Sequence, residues 1–425
     1  MAVANITRKN IAILIPCLYG GGAERVATIL ANNLADLDYN VYLINLEQGL
    51  SYDLDTKVRR IILSNMDGRD NKYKKLVYFP YQLLRLKGTL QRLKPNLVIS
   101  FMERASFMVW LIGFKDCIYS FRNFQTNQIF KEDVGKSISL LRNTAYNFFI
   151  RNSYKKAKLI TVVSKQAKWD LINNFDVPED KVKVIYNPYE IDFITQKAKE
   201  PLGKFSCIFK YPVLINVGRL TKQKGQWWLI RIFKEVKKAF PDLKLVILGE
   251  GKLKSYLVSL SERVGLKTYV WDRDELGEDY DVYFLGYHKN PFKFIARSVL
   301  FVFSSLWEGF PNALVEAMAC SVPVISTDCR SGPREILAPN TYFMKETNEP
   351  EFAEYGILMP VFDDRFIEPD ESLTQVELIW IETIKNILSR KEILEKYKEK
   401  SFRRSLDFNK DNVIKEWVEI ISLHS

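Results

Sequence analysis

Short apolar runs rich in β-branched and aromatic residues alternate with helix-period patterns along this chain, and the alternation starts twice. Asn10–Pro16 has the length and content of a buried strand and Gly20–Gly22 those of a turn. Ala23–Leu37 carries Val26, Ala27, Leu30, Leu34 and Leu37 at three- and four-residue spacing, which predicts a helix. Tyr39–Asn45, Leu97–Phe101, Cys117–Phe121 and Leu159–Val163 read as further strands. Around Ile191–Cys207 the sequence is polar, lacks a period and holds Pro201 and Gly203, which reads as a linker. The pattern then restarts, with strands at Tyr211–Val217, Leu243–Leu248, Val282–Leu285, Leu300–Phe303 and Val322–Ser326. Helices are expected at Trp227–Ala239, Lys252–Val264 and Ala313–Ala319, and a last one, Asn409–Ile421, puts Val413, Trp417, Ile420 and Ile421 on one face. Strands separated by helices imply βαβ units and parallel sheets. Two α/β halves of about 200 residues each are more economical than one very wide sheet.

Composition excludes several classes. With 47% apolar and 27% charged residues, the chain reads as an ordinary globular protein. Arg8 and Lys9 precede an apolar run, but Pro16 and Gly20 end it too early for a secretory signal. Phe107–Phe114 lies between Arg104 and Lys115 and is too short to span a bilayer. Cys17, Cys117, Cys207, Cys320 and Cys329 form no paired motif, which fits a reducing cytoplasm. With only His288 and His424, a zinc site is not expected.

Three loops carry chemistry. Glu308-Gly-Phe-Pro-Asn-Ala-Leu-Val-Glu316 combines a helix start, with Pro311 suited to the first turn and Asn312 able to cap free N–H groups, with a carboxylate on either side. Outward-pointing amides at such an end favour hydroxyl or phosphate oxygens. Gly218-Arg219-Leu-Thr-Lys-Gln-Lys224-Gly225 follows a strand directly, and cations at the carboxyl end of a parallel strand stand where open α/β sheets bind ligands. Two such cations suit a diphosphate leaving group. Leu248-Gly-Glu-Gly251 is a third strand end, where glycine admits close approach. Taken singly, each is also what an ordinary turn would show.

Together, Gly218–Gly225, Gly249–Gly251, Ser304–Ala319 and Pro323–Ile325 resemble the glycosyltransferase family 4 signature. Ser331-Gly-Pro-Arg-Glu-Ile-Leu337 and Tyr355-Gly-Ile-Leu-Met-Pro360 resemble bacterial enzymes of cell-surface glycan assembly within it. The resemblance implies the GT-B fold: two Rossmann-like domains facing a central cleft, here 1–195 for the acceptor and 196–408 for a nucleotide-sugar, with 409–425 a helix crossing back to the first. It implies a retaining, metal-independent hexosyltransferase with a nucleotide-sugar, UDP-linked, as co-substrate and no further cofactor. Arg219 and Lys224 match the pair that binds the donor diphosphate, and Glu316 the glutamate on the ribose. Glu308 with Gly309, Phe310, Pro311 and Asn312 matches the part that holds the donor sugar, and Arg219, Lys224 and Glu308 are the catalytic candidates. Leu314 and Val315 match positions near the diphosphate, while Gly249, Gly251 and Tyr287 match the neighbourhood of the base. Gly21 and Gly22 match a glycine-rich turn against the donor diphosphate or the acceptor. Many members carry a histidine after a strand of the first domain. Here Val98-Ile-Ser-Phe-Met-Glu-Arg104 has none, which leaves Glu24, Glu103, Arg104, Arg122 and Asn123 as acceptor-side candidates.

The charge distribution bears on the acceptor. Residues 1–195 hold 28 Lys and Arg against 18 Asp and Glu, so almost all of the net +11 lies there. Arg69–Lys94 has eight basic residues and one acid, and Lys136–Lys158 six and none, interleaved with Leu140, Leu141, Phe148, Phe149 and Ile150. Such a mixture suits an anionic membrane surface and a lipid-linked glycan acceptor, and no nucleic-acid motif accompanies it. The expected location is the inner face of the cytoplasmic membrane. Four Asp-x-Asp matches (Asp36/Asp38, Asp53/Asp55, Asp272/Asp274, Asp279/Asp281) arise too cheaply to signal a metal, and Trp271–Asp281 reads as a surface insertion. A nucleotide-sugar epimerase or sugar phosphorylase would share the fold, and product analysis separates them. A non-catalytic glycan- or lipid-binding scaffold would not need the Arg219, Lys224, Glu308 and Glu316 set.

Overall fold

A computed structural model describes residues 8–122, 152–154 and 156–425. Most of the basic Lys136–Lys158 stretch, and Asn123, lie outside the described residues. The chain divides into two compact units, Met1–Pro188 with Lys410–Ser425, and Tyr189–Asn409.

The first unit holds strands β1 (Asn10–Ile15), β2 (Asn40–Asn45), β3 (Arg59–Ile62), β4 (Leu97–Phe101), β5 (Cys117–Phe121), β6 (Leu159–Val162) and β7 (Val182–Val184). Among the described residues its helices are α1 (Gly22–Asp36), α2 (Lys72–Leu93), α3 (Glu103–Ile112) and α4 (Lys165–Phe175). The strands pair in the order β3-β2-β1-β4-β5-β6-β7, all parallel. The inner strands β1, β2, β4, β5 and β6 are buried almost throughout because both faces are covered, while the edge strands β3 and β7 are only partly buried. Ile11, Ile13 and Ile15 pack with α1, while Ala12 and Leu14 point to the opposite core with Leu86 and Leu90 of α2 and Met108 of α3.

The second unit holds β8 (Val213–Val217), β9 (Lys244–Leu248), β10 (Thr268–Val270), β11 (Val282–Gly286), β12 (Leu300–Phe303), β13 (Val324–Thr327), β14 (Glu351–Phe352) and β15 (Ile357–Met359). Its helices are α5 (Ile191–Ala198), α6 (Gln226–Ala239), α7 (Lys254–Arg263), α8 (Phe292–Ile295), α9 (Asn312–Ala319), α10 (Pro333–Leu337), α11 (Gln375–Ser389) and α12 (Lys391–Ser405). The sheet runs β10-β11-β9-β8-β12-β13-β15-β14, parallel except for the last pair. A final helix, α13 (Lys410–His424), belongs to the first unit, where Val413, Trp417, Ile420 and Ile421 are buried with the β1 isoleucines and Trp417 lies 6.3 Å from the Phe101 ring.

The stretch expected to be a linker is structured. Ile191, Ile194 and Ala198 are buried on one face of α5, and Gly203–Lys210 forms a 3₁₀ helix. Those three residues do have helical spacing, which the interleaved Lys and Gln residues obscure in the sequence. The charged Trp271–Asp281 stretch is the β10–β11 loop. It is anchored by Lys254, which pairs with Asp272 at 2.5 Å and lies 4.0 Å over the Trp271 ring, and by Asp274, which accepts from the Val270 amide.

Candidate functional site

In each sheet the chain first builds outward on one side of its first strand and then crosses to build on the other, so the direction reverses between β1 and β4 and between β8 and β12. Loops leaving the carboxyl ends of strands at such a point diverge and leave a crevice. In the second unit those loops are Gly218–Gly225, after β8, and Ser304–Pro311, after β12. The two motifs read as most informative in the sequence therefore converge.

The loops are knitted together by backbone. The Leu306 amide donates to the Gln223 carbonyl at 2.8 Å, and the Ser304 hydroxyl donates to the Lys224 carbonyl at 2.8 Å. Gly225 has φ +58°, and a Cβ there would stand 2.4 Å from the Ser304 carbonyl oxygen. Gly225→Ala is therefore expected to cost at least about 1–2 kcal/mol from the left-handed backbone alone, with the overlap added. A urea titration with an unchanged midpoint would contradict this.

Lys224 donates to Glu308 Oε1 at 2.7 Å, with both side chains largely buried. The Lys224 ammonium also lies 5.0 Å from the Phe303 ring centre. Gln223, to which the sequence reading gave no role, donates to Glu308 Oε2 at 3.2 Å and to the Trp307 carbonyl at 2.9 Å. Its own amide oxygen stands 3.5 Å from Arg219, whose side chain is exposed. One glutamine thus links the candidate carboxylate, which Lys224 pairs with directly, to the second candidate cation, Arg219. Nothing in the sequence marks it, because a glutamine in a basic turn looks like polar filler. Ser331 is a second such residue. Its amide donates to the Glu308 carbonyl at 2.9 Å and its hydroxyl to the Gly309 carbonyl at 2.6 Å.

The helix start differs from expectation. Pro311 occupies the capping position with extended backbone, and Asn312 is the first helical residue. Asn312 does not cap the helix; its Oδ1 accepts the Tyr189 hydroxyl at 2.7 Å. Glu316 is buried on α9, while Phe310 packs 5.5 Å from Phe408. Leu314 and Val315 are fully buried. Gly249 has φ +141°, and a Cβ would stand 2.0 Å from the Gly218 carbonyl oxygen. The glycine is required by packing of the β9 loop on the β8 loop, which is a different reason from ligand approach, and Gly251 lies in the same brace against Leu220. Tyr287 is exposed, its amide 3.4 Å from Glu250 Oε1.

In the first unit Gly21 and Gly22 start α1 after β1, and Glu103 and Arg104 start α3 after β4, so they flank that sheet's reversal point. The Glu24 carboxylate folds back over Gly21. Arg104 is engaged structurally: it pairs with Glu47, which is completely buried, and donates to Gln82 Oε1 at 2.6 Å. Lys75 approaches the same carboxylate at 3.4 Å. Arg122 donates to Asn187 Oδ1 at 3.1 Å and stacks over Phe101 and Trp417.

Each unit is an open, mostly parallel sheet with loops gathered at its reversal point, and comparison with known proteins gives the family. The chain belongs to the family 4 glycosyltransferases: family models described as Glycosyltransferase Family 4 and Glycosyl transferases group 1 match residues 20–193 and 211–357. An uncharacterised glycosyltransferase of Methanocaldococcus jannaschii is 35% identical over 89% of this chain and 91% of its own length. The N-acetylgalactosamine-N,N'-diacetylbacillosaminyl-diphospho-undecaprenol 4-alpha-N-acetylgalactosaminyltransferase of Campylobacter jejuni is 29% identical over 96% of this chain and 98% of its own length. The Anabaena HepE protein in complex with UDP and glucose superposes with a TM-score of 0.68 at 15% identity, over 98% of this chain and 100% of that one. WaaG, a glycosyltransferase of lipopolysaccharide biosynthesis, gives 0.69 at 14%, over 97% and 99%. The fold is GT-B. No helix among the described residues is long and apolar enough to cross a membrane.

Proposed function

We propose that this enzyme moves a sugar from a UDP-linked donor to a hydroxyl of a lipid-linked glycan, with retention of anomeric configuration and without a metal, in cell-surface glycan assembly. The observation that carries the reading is the Lys224–Glu308–Gln223–Arg219 assembly at the reversal point of the second sheet. A buried carboxylate held by an ammonium and an amide is preorganised to accept sugar hydroxyls, and the adjacent cations stabilise the charge that develops on the departing diphosphate. The bond between the anomeric carbon and the diphosphate oxygen breaks, and a bond to the acceptor oxygen forms on the same face. The acceptor's proton passes to a leaving-group oxygen, so the route needs no histidine. The undecaprenyl diphosphate-linked substrate in the Campylobacter relative's name supports a lipid-linked acceptor. The basic first half suits the surface on which such an acceptor resides.

The test is a panel of UDP- and GDP-sugars read by ligand-induced thermal shift, then transfer to lipid-linked acceptors with product analysis. Glu316→Ala is expected to weaken binding of the best donor by about 10–100-fold, the value of one or two charge-assisted hydrogen bonds. Donor affinity and turnover equal to wild type would remove Glu316 from the site.

A further inference from the structure

Helix α2 (Lys72–Leu93) is apolar on two opposite faces. Leu86 and Leu90 are buried in the first unit's core, with Phe79 and Leu83 packed against it. Across the helix, Tyr73, Leu76, Val77, Pro80, Tyr81 and Leu84 recur at spacings of three and four, which puts them in one stripe about 17 Å long. That stripe points to solvent: Tyr73, Leu76, Val77 and Leu84 are each more than 70% exposed. A core-packing helix has one apolar face, and the second is unnecessary for folding. The stripe is framed by charge of one sign. Lys74, Arg85 and Arg92, spaced eleven and seven apart, run along one flank, Lys87 follows the stripe three residues past Leu84, and all four are exposed, Lys74 also pairing with Asp70 at 2.6 Å. No Asp or Glu occurs anywhere in Lys72–Leu93.

We infer that the outward face of α2 docks the enzyme on an anionic lipid bilayer, with the Tyr73–Leu84 stripe entering the acyl boundary and the flanking cations meeting lipid phosphates. This deepens the lipid-linked-acceptor reading given above and rests on it for its place in the reaction. An apolar stripe bordered by basic side chains has the pattern of a helix that lies in the membrane interface, where long basic side chains reach back to the headgroups. A second copy is a poorer fit, because stripe-to-stripe contact would bring two sets of basic flanks together. Nucleic acid would use the cations and leave Leu76, Val77 and Leu84 without a role.

The full chain is tested by cosedimentation with phosphatidylcholine vesicles with and without phosphatidylglycerol, at two salt concentrations. Binding is expected to anionic vesicles, and to weaken with salt. Leu76→Ser with Leu84→Ser is expected to lower partitioning on the order of 100-fold at an unchanged unfolding midpoint, since both side chains face solvent. Lys87→Gln with Arg92→Gln, which leaves the stripe intact, is expected to lower binding about 10-fold and flatten its salt dependence. Wild-type protein that binds neither vesicle, or a Leu76/Leu84 variant that binds as tightly as wild type, overturns the proposal. So does a wild-type dimer in lipid-free sedimentation equilibrium that the same pair of substitutions dissociates. The readout needs no sugar transfer. Vesicle binding without any donor binding would sink the transferase reading alone, and donor turnover on a soluble acceptor without vesicle binding would sink only this one.

Discussion

Lys224→Ala is expected to lower kcat for sugar transfer by about 100–1000-fold, the usual loss when one preorganised donor to developing charge is removed. The ammonium stands 2.7 Å from Glu308 in a pair that is nearly buried. It is placed to serve two roles, fixing the carboxylate and presenting charge to the diphosphate. Lys224→Arg keeps the charge but brings a planar fork where the site is shaped around a compact ammonium beside the Phe303 ring, so little recovery is expected. Gln223→Ala removes only the second hold on Glu308 and is expected to lie between wild type and Lys224→Ala. Single-turnover kinetics at saturating donor separates chemistry from binding. A kcat within about threefold of wild type for Lys224→Ala would refute the assignment. Unfolding measured in parallel guards against a trivial cause, because the change also leaves the Glu308 carboxylate without its counterion.

Arg334→Met is expected to destabilise the second unit by about 3–5 kcal/mol, the cost of stranding one partner of a buried ion pair. Arg334 and Asp328 are each about 2% exposed, and the guanidinium Nε lies 3.1 Å from both carboxylate oxygens while its other nitrogens reach Glu351 and Thr341. Asp328 follows β13 and leads into the Arg330–Ser331 segment that clamps Glu308, so the pair stabilises the loop behind the site. Burial pushes the Asp328 carboxyl up to about 6 even beside Arg334. An acid whose folded pKa exceeds its unfolded value, about 3.9, binds more protons folded than unfolded between the two. Its contribution to stability is therefore largest at low pH and falls as pH rises through that window. Removing the guanidinium raises the folded pKa further. The variant's deficit is expected to be greatest near pH 8 and to shrink toward pH 5. Urea titrations at the two pH values check this, and a deficit that grew on acidification would contradict it.

Much of the second unit was legible in the chain. Its core strands carry local signals: short, largely apolar runs such as Val213–Val217 and Leu300–Phe303, each followed by a glycine or serine and a loop that carries charge. Arg219, Lys224 and Glu308 could be picked out because each sits in a dense local motif, and β8 and β12 turn out to be neighbours. Gln223 and Ser331 were not legible, since what they do is donate across loops 85 and 22 residues away in sequence. Asn312 was misread as a cap because capping depends on the φ and ψ of its neighbour Pro311, which composition does not specify. Arg104 stands in the sequence only as an acceptor-side candidate; that it pairs with Glu47 was not legible, because no local pattern announces the burial of that carboxylate.

Local sequence by itself determined the alternation of strand and helix, the two parallel sheets and the loops rich in charge and glycine, because these follow from side-chain period and backbone preference within a few residues. Only the tertiary structure decided the strand order, and with it which loop ends share a reversal point, which charges are paired and which apolar faces find a partner. The physical reason is range. Hydrogen bonds and ion pairs act over a few ångströms, and residues reach that distance from far along the chain only once the sheets have formed. The outward stripe of α2 shows the difference: its period is written in the sequence, but that the core takes the opposite face and leaves this one to solvent is a fact of the fold.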